Sequence, residues 1–227
     1  MNRFRLVIKE SKINEAKFTF STKGLALTVE EEGESFSMIL YYVNPGYERD
    51  VLKVEVAGGV EMMKTMEPCI PETWEVNSIF TAGDYQGQGI ASLMYGLCFH
   101  VAGEKGFGLT SDHSVGTKKK AAGKWKSLEK NPRFVKRKTD GGNSKFDYDG
   151  ETPDPDDDCD SGFGGPESMA TDYSLEDTNY KQFASTFEKL KKAHTVYVKR
   201  SEDPEEMLEH IADEASRIFQ EEYEKAK

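Results

Sequence analysis

Thr81-Ala82-Gly83-Asp84-Tyr85-Gln86-Gly87-Gln88-Gly89-Ile90-Ala91 is the stretch on which the fold of this chain turns. Before it, Trp74 to Thr81 is rich in strand-forming residues; after it, apolar residues take up helical spacing from Ile90 to about Gly103. A glycine loop therefore joins a strand to a helix. Gly87 and Gly89 carry no Cβ, so backbone N–H groups there can approach a ligand closely, and the unpaired amides and dipole of a helix N-terminus favour an anion. A pyrophosphate suits such a place. The loop is not a P-loop, because no Gly-Lys-Ser/Thr follows, and it lacks the three-glycine spacing of the dinucleotide fingerprint. An ordinary tight turn would use the same residues.

Working outward, the first eighty residues alternate as strands do, at Phe4 to Ile8, Leu25 to Val29, Phe36 to Val43 and Val51 to Val56, punctuated by Gly24, Gly33, Pro45-Gly46 and Gly58-Gly59. They predict an antiparallel sheet. Beyond the loop, Phe107 to Thr110 reads as a short strand and Thr117 to Leu128 as a basic helix with Ala121, Ala122, Trp125 and Leu128 along one side. Thr195 to Val198 reads as a late strand. Asp203-Pro204-Glu205-Glu206 is a helix start, with an N-capping Asp, Pro in the first position and acids at the positive dipole end. The helix should run to about Tyr223, with Met207, Leu208, Ile211, Ala215, Ile218 and Phe219 as its apolar face.

In this context the loop resembles motif A of the GNAT superfamily of acetyl-coenzyme A-dependent N-acyltransferases. That motif is Gln/Arg-x-x-Gly-x-Gly/Ala, met here by Gln86, Gly89 and Ala91. The resemblance covers roughly Trp74 to Phe134 and includes the strand, helix, strand and second helix in order. It implies an α+β, layered fold with a mixed, mainly antiparallel sheet flanked by helices. It also implies that the amides of Gln86, Gly87, Gln88, Gly89, Ile90 and Ala91 hold the coenzyme A pyrophosphate, while the backbone of Phe80 and Thr81 pairs with the pantetheine arm as an added strand would. Acetyl transfer needs a base for the amine, a donor for the tetrahedral oxyanion and an acid for the leaving thiolate. Glu75 is the base candidate: it lies six residues before Thr81, on the same face of the strand, and some family members carry a glutamate there. Where the family often places a tyrosine as the acid, this chain has Trp125, whose indole cannot serve. Ser111, Asp112 and His113, at the end of the next strand, are the alternatives, with bulk water behind them. No residue set suggests a metal.

Charge is segregated along the chain. His113 to Lys138 holds ten Lys or Arg and one acid, Asp140 to Asp177 thirteen acids and one Lys, and Ser201 to Lys227 ten acids and three basic residues, within a net charge of −11. That net charge argues against general nucleic-acid binding, which needs cations against phosphates. The acidic stretch, with its glycines and three prolines, is too poor in apolar residues to offset its ordering entropy and reads as a flexible insertion. It either solubilises the surface or folds over the basic helix as a mask; its spacing does not fit a calcium loop. The expected organisation is thus a core over 1–139, the insertion over 140–178, a returning helix and late strand over 179–200, and an amphipathic acidic helix over 201–227.

No run approaches the ~20 apolar residues of a membrane span, and no signal-like segment follows Met1, so the chain reads as cytoplasmic. Three widely spaced cysteines, Cys69, Cys98 and Cys159, argue against a disulfide framework. The expected activity is acetyl transfer from acetyl-CoA to an amine on a small molecule or protein. The rival is a silent GNAT-like scaffold that binds a protein partner, or its own copy, through the C-terminal helix. The string Leu109 to Ser114 is similar to acetyltransferase-like proteins of bacteriophages, which would place the chain in a host cytoplasm.

Overall fold

The first twenty-two described residues, 22–43, hold an antiparallel hairpin. β1 (Leu25–Glu32) pairs antiparallel with β2 (Ser35–Val43), from Leu25 opposite Tyr42 to Glu32 opposite Ser35 across a two-residue turn. The computed structural model describes residues 22–43, 54–64, 73–105, 108–111, 125, 127, 131, 134–138, 171–175, 177–201 and 203–225. Within these follow β3 (Val54–Lys64), β4 (Trp74–Thr81), a single 3-10 turn at Gly83–Tyr85, α1 (Ile90–Lys105), β5 (Leu109–Ser111), β6 (Phe134–Lys138), β7 (Thr171–Leu175), α2 (Asp177–Arg200) and α3 (Pro204–Lys225). The fold is mixed α+β with mostly antiparallel pairing: β1–β2, β5–β7 and β6–β7 are antiparallel and β4–β5 is parallel.

The chain divides into two compact units, with β3, β4, α1 and α2 each contributing residues to both. The first unit comprises residues 1–61, 78–97 and 181–227. Its strand order is β1-β2-β3-β4. Ala26, Tyr41, Val43, Val54 and Val56 form one apolar patch with Ala82, and α3 lays Met207, Ile211, Ala215 and Ile218 on it. Burial of each large side chain there contributes about 1.5–3 kcal/mol relative to exposure. Leu27, Met38 and Leu40 alternate to the opposite face and are fully buried as well. The N-cap of α3 forms as the sequence requires: the Glu206 amide donates to Asp203 Oδ1 at 3.0 Å.

α2 corrects one expectation. Thr195 to Val198 lies inside this helix of 24 residues and forms no strand. Four β-branched and aromatic residues read locally as a strand, but Tyr197 continues a helical stripe through the buried Phe183, Phe187 and Leu190 while Thr195 and Val196 lie exposed, and that longer period overrides local propensity. The stripe also explains Gly96 in α1. A Cβ there would stand 2.0 Å from Phe183 Cε1, so only glycine lets the Phe183 ring lie against α1.

The second unit comprises residues 62–77 and 98–180, with strand order β4-β5-β7-β6. β4 begins here with Trp74, Glu75 and Val76 opposite Leu109, Thr110 and Ser111. Trp74, Phe99, Leu109, Trp125 and Phe134 are buried, with Phe99 and Phe134 in a tilted pair 4.8 Å apart. β7 (Thr171–Leu175) falls within the span 140–178 of the acidic insertion and pairs antiparallel with β6 from Lys138 to Phe134. The remainder of that insertion, the strand at Phe4 to Ile8, Cys69, Cys159, and the basic helix apart from Trp125 and Ser127 lie outside the described residues.

Candidate functional site

The candidate loop belongs wholly to the first unit. β4 runs past its pairing with β5 through Ser78, Ile79, Phe80 and Thr81, each half-buried. These residues are neither core nor open surface. Ala82 ends the strand with its amide on the Ala57 carbonyl at 3.0 Å, and its side chain is anchored in the apolar cluster. Phe80 is held by close approach: a Cβ at Gly59 would stand 2.5 Å from the Phe80 ring, and one at Gly58 2.8 Å from the Phe80 carbonyl oxygen. The two glycines of β3 thus seat the strand that leads into the loop.

The loop then reverses through two left-handed residues, Gly87 (φ 72°) and Gly89 (φ 83°). A side chain at either would cost about 1–2 kcal/mol in backbone strain alone. Gly89 accepts the first helical bond, from the Leu93 amide at 3.0 Å, and α1 starts at Ile90. Gln86, Gly87 and Ala91 are exposed, Gln88 and Gly89 half-buried, and Ile90 buried. Ile90 is the anchor and the other five form the accessible rim. Tyr85 fixes the approach: its hydroxyl donates to Glu55 Oε2 at 2.9 Å, and burial and that carboxylate raise its pKa. Gln88 Nε2 donates to the Asp84 carbonyl at 2.6 Å.

One neighbour was not legible in the sequence. The end of α3 lies beside the loop: Gln86 Nε2 donates to Glu222 Oε2 at 3.2 Å and also approaches the Thr81 carbonyl at 3.4 Å. Phe219 sits 6.1 Å from Phe80, ring centre to ring centre. Glu222 further accepts from Lys225 Nζ at 2.8 Å. The only signal was that Glu222 follows Ile218 by four residues and so shares the edge of the buried stripe.

The proposed chemical residues belong to the second unit. Glu75 is half-buried at the register position of Thr110, which is fully buried, and Ser111 stands opposite Val76. Asp112 and His113 lie outside the described residues. Trp125 is 1 % exposed, so its indole is a core side chain. Cys98 is fully buried and desolvation raises its thiol pKa, so it offers no thiolate nucleophile. Among the described residues no group of His, Cys, Asp and Glu could hold a metal ion, and no helix is long and apolar enough to cross a membrane.

No family model matches the chain, and neither does any curated protein or solved structure.

Proposed function

We propose that the loop from Gln86 to Ala91 binds the pyrophosphate of coenzyme A and that the chain is an acetyl-CoA-dependent N-acetyltransferase of GNAT type. The observation that carries the reading is the pair of left-handed glycines, Gly87 and Gly89, set between the end of β4 and the first turn of α1. That arrangement aims amide donors and the positive end of a buried helix of 16 residues at one place. The half-buried run Ser78–Thr81 supplies extended backbone beside it for the pantetheine amides. In the reaction an amine attacks the thioester carbonyl, the tetrahedral oxyanion collapses, and coenzyme A leaves as a thiolate. Glu75 takes the amine proton, directly or through water, and bulk water or a group at the end of β5 protonates the sulfur. The acceptor is an amine on a small molecule or a protein.

A second reading, a catalytically silent GNAT-like scaffold that acts by binding a protein partner, is favoured by one contact: Glu222 places a carboxylate on Gln86, next to where a pyrophosphate would sit. Mass spectrometry of amines incubated with acetyl-CoA and the protein separates the two. A product gaining an acetyl group, formed about 10²–10⁴-fold more slowly by Glu75→Gln, supports the enzyme. Coenzyme A binding without any product supports the scaffold.

A further inference from the structure

We propose that the first unit associates with a second copy of itself, the groove on α2 receiving the outward face of the partner's α3, and that the contact occurs twice about a two-fold axis. An open hollow of about 310 Å³ runs along α2, lined by Lys189, Lys192, Ala193, Val196, Tyr197 and Arg200. Three apolar and three cationic side chains share its lining. Val196, at 37 % exposure, is one of three large hydrophobic side chains left open among the described residues. Another is Leu208 on α3, at 39 %, flanked by the exposed acids Glu205 and Glu209 one turn or less away.

The two surfaces complement each other in both charge and polarity. Leu208 matches the apolar Ala193, Val196 and Tyr197, while Glu205 and Glu209 match Lys189, Lys192 and Arg200. α2 and α3 are consecutive helices separated only by residues 201–203, and Ala193 and Tyr197 already pack with part of their surface on the apolar cluster that holds Met207 and Ile211 of α3, so Val196 is the open apolar residue of the hollow. A two-fold rotation sets the cationic groove of each copy on the acidic ridge of the other, which is the self-complementary arrangement a closed dimer needs. The overall charge of −11 opposes association at long range, so only this local match, made twice, favours it.

The test uses the full chain and two charge reversals, Lys189→Glu with Lys192→Glu, and Glu205→Lys with Glu209→Lys. None of these residues touches the candidate coenzyme loop, and all are exposed. Light scattering coupled to size exclusion should find the parent dimeric, each double variant monomeric, and the 1:1 mixture of the two variants dimeric again, since each then offers the charge the other has lost. Circular dichroism of each variant confirms that it is folded. A parent that stays monomeric at about 100 μM, which sets its Kd well above the micromolar range, overturns the proposal and leaves the groove to a foreign acidic helix. A dimer that survives both reversals, or a mixture that stays monomeric, overturns it equally.

Discussion

Gly96→Ala tests whether α2 is packed on α1 as described. Alanine is the better helix former by about 1 kcal/mol, so at a roomy position the change would stabilise the protein. Here the new Cβ would stand 2.0 Å from Cε1 and 2.1 Å from Cζ of Phe183, where ordinary contact begins at 3.4 Å. The ring must therefore withdraw by more than an ångström, yet Phe183 is 1 % exposed and has no open space to enter. Overpacking of this kind costs about 1–3 kcal/mol. With both ring atoms in conflict the upper part of that range applies, and a net loss of about 1–2 kcal/mol remains after the helix gain. For a chain of this size that is a fall in Tm of roughly 2–8 °C, readable by calorimetry or by circular dichroism. Phe183→Leu should cost stability alone but relieve the conflict in the Gly96→Ala background, with a coupling of about 0.5–3 kcal/mol. A Gly96→Ala variant more stable than the parent, or strict additivity of the two changes, would refute the packing.

The remaining expectations concern single groups. Asp203→Ala removes the acceptor of the Glu206 amide and should cost about 0.5–2 kcal/mol in urea unfolding, with Asp203→Asn recovering most of it; no loss would mean that the cap is idle. His194, bonded through Nδ1 to the Tyr41 hydroxyl at 2.8 Å, has its pKa lowered by burial from an ordinary 6.5. As pH falls the unfolded chain takes the proton first, so this contribution is complete above about 6.5 and is lost as pH drops through the lower folded value. The acid limb of a stability-versus-pH profile should flatten in His194→Gln, and an unchanged limb would exclude the residue. Glu222→Gln takes a negative charge from beside Gln86 and should tighten coenzyme A binding by up to about fivefold, the ~1 kcal/mol ceiling of an exposed charge contact; weaker binding would show that the carboxylate assists the site.

What could be read from the residues followed the reach of each signal. β1, β2 and β4 were legible because runs of strand-forming residues punctuated by glycines mark the element. The start of α3 was legible because a capping aspartate and a proline act within one turn. Val196 and its neighbours misled because β-branched propensity over four residues is weaker than a stripe beginning at Phe183, more than three turns earlier. Leu208 was counted in the apolar face of α3, yet it is 39 % exposed: it lies just past the edge of a stripe that Met207, Ile211, Ala215 and Ile218 already complete. β6 and β7 were missed because Phe134–Lys138 is charged and Thr171–Leu175 sits in an acid-rich stretch, so their pairing depends on partners distant in sequence. The loop was legible as a strand-to-helix junction, and its two left-handed glycines stand where the spacing placed them. The approach of Glu222 was not, since no local pattern records which loop a distant helix end will meet.

The measurement that bears most directly on the proposed coenzyme site is calorimetric titration of coenzyme A into the parent protein and into Gly89→Glu. At φ 83° the substitution strains the backbone and sets a carboxylate at the mouth of the α1 N-terminus, where the pyrophosphate is proposed to lie. The account predicts saturable one-to-one binding to the parent and loss of that binding in a variant whose circular dichroism shows it folded. Equal affinity in both proteins, or no binding to the parent, would contradict it.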